Sequence, residues 1–124
     1  MIAGAVMLAK PNRLRTSAEF DRVFSAGRTA HGKLLSVRVA DATEAGKSAR
    51  FKAGFSIGKT VSLKAVVRNR IRRRLREIVR SLGQDNAFNA VELVVSAKRP
   101  AAAADSTQLR EELERLLKKT EAVR

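Results

Sequence analysis

The chain has 124 residues, of which 26 are Lys or Arg and 12 are Asp or Glu, so its formal net charge is +14. The absence of cysteine excludes a disulfide scaffold, a thiol nucleophile and a zinc site with sulfur ligands, and the single histidine, His31, excludes a histidine-rich metal site. With 44% hydrophobic residues the chain is expected to fold, and its positive charge indicates a polyanionic partner, either nucleic acid or an anionic membrane surface.

The N-terminal residues 1–11 are predicted to be a flexible extension, and residues 12–124 to form a single domain. The first nine residues are apolar but about half as long as a transmembrane helix, and no basic segment precedes them as in a signal peptide. Met7 is an alternative start of the natural protein. We therefore expect a cytoplasmic protein without a membrane partner.

The first helix is predicted over Ser17–Ala26. Thr16 and Glu19 form a capping box, because the hydroxyl accepts from an early amide and the carboxylate three residues later reaches back. Apolar residues then recur at helical spacing until a glycine ends the helix: Phe20, Val23, Phe24 and Gly27.

Two stretches after this helix alternate between apolar and polar residues, which predicts half-buried strands. The first is centred on Val37 and the second extends from Phe51 to Ile57, with a turn-rich segment at residues 41–48 between them. We expect these two strands to form a hairpin, and a further short strand is possible near Thr29.

The second half of the chain is predicted to contain a long helix over residues 64–82, a strand over residues 91–95 and a last helix capped by Asp105. The last helix has one apolar stripe, composed of Leu109, Leu113, Leu116 and Leu117. Its other face is expected to be solvated and contains Glu111, Glu112, Glu114, Lys118 and Lys119. This order of elements predicts an α+β sandwich, with helices packed on a small, mostly antiparallel sheet.

The long helix contains the strongest functional signal. Residues 59–80 include nine basic residues and only one acidic residue, Glu77, so more than half of the net charge lies there. With Ile71 as the reference, an apolar stripe lies within about 40° of it: Val67, Leu75, Ile78 and Leu82. The opposite pole contains Asn69, Arg73, Arg76 and Arg80, with Arg70 and Arg72 on the flanks.

Three interpretations of this arginine face are possible. It could be an ordinary solvated surface, or the helix could lie on a membrane, but an excess of nine bases over one acid favours phosphate binding. Arginine suits phosphate because its planar guanidinium can donate two parallel hydrogen bonds.

The string RNRIRRRLR at residues 68–76 resembles the RNR signature of the protein subunit of bacterial ribonuclease P. The segment GFSIGK at residues 54–59, the first-helix block at residues 12–27 and SAKRP at residues 96–100 are also similar to that family. These blocks occur in the family's order, and the resemblance extends over about residues 12–117.

The resemblance implies a ribosomal-protein-like αβββαβα fold with a left-handed βαβ crossover, against the usual handedness. It also implies that the RNA subunit performs the phosphodiester chemistry with bound Mg²⁺, while the protein binds this RNA and the 5′ leader of precursor tRNA. The implied residues for binding the catalytic RNA are Arg68, Asn69, Arg70, Arg72, Arg73, Arg76 and Arg80. The implied leader-binding cleft consists of Phe20, Phe24, Arg38, Lys52, Ser56 and Lys59.

The residues of this cleft leave one question open. On sequence alone Phe20 and Phe24 fit a core, whereas their positions in the family place them in the cleft. The polar strand face, with Arg38 and Lys52, would form a cationic floor for a single strand. Two departures from the family weaken the detail: the loop at residues 59–64 is one residue longer, and Arg38 stands where an aromatic residue is common.

No catalytic group is evident in the polypeptide, since the sequence contains no carboxylate pair and no Ser/His/Asp set at a suggestive spacing. The leading hypothesis is therefore a non-catalytic subunit of an endoribonuclease, with no obligate protein partner. The alternatives are a structural RNA-binding protein of ribosomal type and a nucleoid-type DNA-binding protein.

Overall fold

The computed structural model describes residues 10–43 and 50–123, and these form three α-helices and one four-stranded sheet. In chain order the elements are α1 (Ser17–Ala26), β1 (Arg28–His31), β2 (Leu35–Asp41), β3 (Phe51–Ser56), α2 (Ala65–Gln84), β4 (Val91–Ala97) and α3 (Ser106–Lys119). Short 3-10 turns lie at Lys10–Asn12 and Arg99–Ala103. The predicted αβββαβα order is confirmed, including the short strand near Thr29. Most of the predicted extension at residues 1–11 lies outside the described residues.

The sheet has the strand order β1-β2-β4-β3, so the predicted hairpin between β2 and β3 is wrong. β4 lies between them, antiparallel to β2 and parallel to β3, and Val95 is the register partner of both Val37 and Phe55. Residues 91–95 of β4 are all buried, as expected for a central strand covered on both faces. Alternation in β2 and β3 specified which face of each strand is buried, but not which strand is its neighbour. Because β3 and β4 are parallel, α2 forms the crossover between them.

The two faces of the sheet support cores of different size. The larger core joins the sheet to α2 and α3 and contains the predicted leucine stripe of α3 together with Ile71, Leu75 and Ile78 of α2. The smaller core lies under α1 and comprises Leu14, Val23, Ala40 and Val94, with Phe20 packed against it. Part of the second sheet face therefore remains open beyond α1. Among the described residues, no helix has both the length and the apolar character needed to cross a bilayer.

Helices α1 and α3 both begin with a capping box; the sequence predicts the box of α1 and the cap at Asp105, but not the reciprocal contact of Gln108. The Thr16 hydroxyl accepts from the Glu19 amide at 3.2 Å, and the Asp105 carboxylate accepts from the Gln108 amide at 2.8 Å. α2 has no side-chain cap at Lys64 and no acidic residue in its first turn. Its stability therefore depends on the packing of its apolar stripe.

Glu112 does not belong to a solvated face of α3, and that prediction is wrong for this residue. It is buried, with 8% of its surface exposed, and its Oε2 accepts from the backbone amides of Leu34 at 2.7 Å and Leu35 at 2.6 Å. The turn between β1 and β2 leaves these amides without backbone partners, so a carboxylate from α3 satisfies them. The contact is close, since a Cβ at Gly32 would lie 2.5 Å from the same carboxylate oxygen.

Glu112→Ala is expected to destabilise the fold, because it leaves two backbone amides without their acceptor at a cost of about 1–3 kcal/mol each. Glu112→Gln retains an acceptor oxygen and should lose less. Urea unfolding followed by circular dichroism measures both, and Glu111→Ala on the exposed side of α3 is the control. Equal stability of Glu112→Ala and Glu111→Ala would contradict this role.

Candidate nucleic-acid interface

The outer face of α2 presents arginines that no described carboxylate neutralises. Asn69, Arg70 and Arg73 are exposed, while Arg72 and Arg76 are half-buried on the side of β3. Among the residues the structure describes, no Asp or Glu oxygen lies within 4.0 Å of an α2 arginine nitrogen. The ion pairs between described residues involve side chains outside α2. The predicted orientation of the helix is thus present, with the apolar stripe inward and uncompensated positive charge outward.

Two of the arginines predicted to bind RNA, Arg68 and Arg80, are half-buried against other parts of the chain. Arg68 is half-buried, and its Nη1 donates to the carbonyl of Ser62 at 2.9 Å, which holds the loop before the helix. Arg80 was predicted at the outward pole, but it is half-buried beside α3, with its Nε shielded from solvent and without a partner among the described residues. The reason is that α3 packs against this part of α2, a contact that helical periodicity does not encode. Arg74, which was not in the predicted set, donates to the carbonyl of Ala104 at 3.1 Å.

A cavity of about 210 Å³ lies where α1, the β3 edge and α2 meet. It is lined by Arg13, Leu14, Phe20, Ala53, Gly54, Phe55, Arg72 and Arg76. The N-terminal segment forms one wall because the Leu14 amide donates to the Ala53 carbonyl at 3.1 Å, along the outer edge of β3. Burial, with the nearby charges of Arg72 and Arg13, lowers the pKa of Arg76. Three guanidinium groups around one cavity favour an anionic ligand.

Gly54 determines how deeply Phe20 can settle on the sheet. A Cβ at this position would lie 2.4 Å from Phe20 Cζ, so any side chain larger than hydrogen would displace the ring. Phe20 is half-buried against the smaller core and also lines the cavity. The Phe20 ring therefore packs on the smaller core with one part of its surface and lines the cavity with another, while its role in binding a leader stays a prediction.

Phe24 is not a core residue, because 41% of its surface is exposed. The Arg38 guanidinium lies 5.1 Å from the centre of its ring, and Arg38 Nη1 donates to the Phe24 carbonyl at 3.2 Å. Such an arrangement combines a cation with a flat exposed surface. It stands at the border of the open sheet face, one helical turn from Phe20.

The open sheet face is arranged in rows by the strand register. Ser36, Ser96 and Ser56 are aligned across β2, β4 and β3, and the next row contains Arg38, Val94 and Gly54. Arg38, Lys52 and Ser56 thus lie on one face, as their alternation predicts, and Lys59 is exposed in the turn that follows β3. Ser36, Ser96 and Arg13 were not among the site residues predicted from sequence. Their proximity to the site depends on strand order and on edge pairing, which only non-local contacts determine.

Lys52 is held by Glu19 through an ion pair of 3.3 Å between Nζ and Oε2. The Glu19 carboxylate also accepts from the backbone amides of Arg15 at 2.8 Å and Thr16 at 3.0 Å. These two amides, followed by Lys52, lower the pKa of Glu19 to about 2. The capping box of α1 is therefore joined to the cationic floor of the sheet.

Within residues 10–43 and 50–123, no three His, Cys, Asp or Glu side chains are grouped so as to hold a metal ion. The grouped functional side chains of the site are arginine, lysine, serine and phenylalanine. This chemistry binds anions and flat rings.

Comparison with known proteins identifies relatives of this chain. A family model described as Ribonuclease P matches residues 8–121. The ribonuclease P protein component of Thermobifida fusca (strain YX) is 37% identical over 116 residues, which cover 90% of this chain and 78% of the relative. That of Caldanaerobacter subterraneus subsp. tengcongensis is 36% identical over 114 residues, covering 92% and 93%. The solved RNase P protein of Staphylococcus aureus is similar with a TM-score of 0.78 at 25% identity, covering 91% of this chain and 98% of that one.

The contribution of Glu19 to stability should depend on pH. Its pKa is about 2 in the folded protein against an ordinary 4.5, so its contribution is present above about pH 4.5 and is lost as the pH falls towards 2. Glu19→Gln can still cap the helix but has no charge to titrate. The difference in melting temperature between wild type and Glu19→Gln should therefore become smaller as the pH is lowered from 4.5 towards 2. A difference in melting temperature that stays constant down to pH 2 would contradict this role of Glu19.

Proposed function

Because the chain belongs to the ribonuclease P protein family, it is the protein component of a ribonucleoprotein that processes the 5′ end of tRNA, and we propose that it acts through two surfaces. The complex is an endoribonuclease, and this protein works together with the ribonuclease P RNA. A structural protein of ribosomal type is not favoured, since the matched family and relatives are all ribonuclease P proteins.

The first proposed surface is the outer face of α2, which binds the catalytic RNA. The observation that carries this proposal is the set of arginines without described carboxylate partners on a helix anchored by its apolar side. Arg70, Arg72 and Arg73 can each approach phosphates, and Asn69 Oδ1 already accepts from Arg72 Nη1 at 2.8 Å, which orients that guanidinium. Mutual repulsion of these charges destabilises the free helix, so neutralisation by phosphates favours assembly.

The second proposed surface is the cleft between α1 and the open sheet face, which binds the single-stranded leader of precursor tRNA. A single strand needs cations along its backbone and flat groups for its bases. Arg38 supplies a cation, Lys52 supplies a second one that it shares with Glu19, and Phe24 with the edge of Phe20 supplies the rings. The small residues Gly54 and Ser56 leave room above the sheet. Lys59, in the turn that follows β3, extends the cationic path towards α2.

Mg²⁺ remains a proposed cofactor of the complex and is assigned mainly to the RNA subunit. Phosphate oxygens of the RNA are the hard oxygen ligands that Mg²⁺ prefers. The protein's proposed part is to hold the leader and to reduce phosphate repulsion, so that substrate and ions can be bound together. A cytoplasmic location and the lack of an obligate protein partner also stay predictions.

Phe24→Ala should reduce the preference of the holoenzyme for precursor tRNA over mature tRNA. Stacking of one base on an aromatic ring contributes about 1–3 kcal/mol, so the ratio of the two affinities should fall by about fivefold or more. Phe24→Tyr retains a ring and should retain the preference. Binding of both RNAs by the assembled holoenzyme measures the ratio. A wild-type ratio in Phe24→Ala, or equal binding of both RNAs by wild type, would contradict the leader cleft.

Arg73→Ala should weaken assembly with the RNA subunit without unfolding the chain, because this side chain is exposed. Loss of one phosphate contact should make the slope of log K against log salt shallower by about 0.7–0.9. Lys118→Ala, on the exposed face of α3, is the matched control for loss of one positive charge. A large fall in the melting temperature of Arg73→Ala would show that this arginine supports the fold instead.

A further inference from the structure

Two large apolar side chains are exposed at the beginning of α2. Among the described residues, the large hydrophobic side chains that are exposed are Phe24, Leu63 and Val66, with 41%, 84% and 72% of their surfaces accessible. Phe24 has Arg38 beside its ring, but no described residue covers Leu63 or Val66. A pair so close in sequence differs from the isolated apolar residues that are common on protein surfaces.

The position of Leu63 is determined by the loop before the helix. Val61 is buried in the larger core, the Lys64 amide donates to Ser62 Oγ at 3.1 Å, and Arg68 donates to the Ser62 carbonyl at 2.9 Å. These contacts secure the residues on both sides of Leu63 and leave its side chain outside. A residue at this position, just before the helix cap, often packs on the fourth helical residue, but here that residue is Arg68. The usual intramolecular partner is therefore missing.

Val66 lies in a groove that is rich in arginine. Val66 lines the same groove as Asn69, Arg70, Arg72, Arg73 and Arg76. From residue 58 to residue 76 the chain contains no Asp or Glu. Exposed apolar side chains next to a helix face of arginines without described carboxylate partners fit a partner that presents both apolar surface and negative charge at close spacing.

We propose that Leu63 and Val66 form the apolar part of the interface with the ribonuclease P RNA, where they pack against an unpaired base or a ribose. Unstacked nucleotides present flat apolar surface directly beside phosphates, which is the combination that this groove matches. The inference rests on the proposed RNA-binding role of α2 and adds a contact that does not depend on charge. The arginines bind phosphates, and the apolar pair excludes water from one nucleotide between them.

Salt dependence distinguishes this contact from a phosphate contact. The test uses the full chain with the ribonuclease P RNA and measures affinity at several salt concentrations for Leu63→Ser, Val66→Ser and the double variant. Each single change should weaken binding about fivefold at every salt concentration, with the slope of log K against log salt unchanged. Arg73→Ala, the charge-removing comparison, should make the slope shallower. Leu63→Met retains the apolar surface and should bind as wild type does.

Stability controls keep these results interpretable. Serine and valine have similar helix propensities, and both side chains are exposed, so the melting temperature of each variant should be close to that of wild type. A double variant that is stably folded but binds the RNA with wild-type affinity would overturn the inference. So would a shallower salt slope, since that would mean that the substitutions act through the neighbouring arginines.

Three further outcomes distinguish a membrane or a protein partner from the RNA, and test the proposed RNA-binding role of α2 itself. Loss of binding to vesicles of phosphatidylglycerol and phosphatidylcholine by the double variant, with RNA affinity unchanged, would assign the pair to a membrane and overturn the RNA contact. Wild-type behaviour of the double variant with both RNA and vesicles would leave a protein partner as the occupant, and overturn it equally. If wild type itself does not bind the ribonuclease P RNA, the proposed role of α2 fails together with this contact.

Discussion

The packing of one side of α2 on the larger core is the interaction on which the functional surface depends. The helix contains many like charges, has no side-chain cap and has no acidic residue in its first turn, so its own sequence does little to stabilise it. Ile71, Leu75 and Ile78 anchor it against the sheet and α3 instead. Tertiary burial thereby allows a helix to expose arginines at a density that would be unfavourable in isolation, and leaves that charge available to a polyanion.

The strand order places this helix beside the second surface. β3 is an edge strand next to β4. The chain passes from β3 into α2, which packs on one face of the sheet, while α1 packs on the opposite face. The edge of β3 is paired with the segment that precedes α1, which brings Arg13 next to Arg72 and Arg76. The two proposed surfaces are therefore continuous around one strand edge, and a leader bound on the sheet would lie close to RNA bound on α2.

Two arginines and one glutamate show that charged residues in the same stretch of a helix can have different roles. Arg68 and Arg73 belong to the same basic helix. Arg68 is half-buried and donates to the carbonyl of Ser62 in the preceding loop, whereas the side chain of Arg73 is exposed. Glu112 lies in a row of surface charges by sequence, yet its carboxylate satisfies two amides of the β1–β2 turn. The partners of Glu112 come from a distant part of the chain, and this buried contact outweighs the local pattern because unsatisfied backbone groups are costly.

The sequence by itself determined the elements, their buried faces, the outward direction of Asn69 and Arg73, the capping box of α1, the cap at Asp105 and, through the resemblance, the family. These features depend on the 3.6-residue and two-residue periods and on local capping, all of which lie within a few neighbouring positions. Only the tertiary structure decided that β4 separates β2 from β3, that Arg13 joins the cavity, that Glu112 is buried and that Leu63 is exposed. Those features depend on which distant surfaces meet, and a period along the chain contains no information about the partner on the other side.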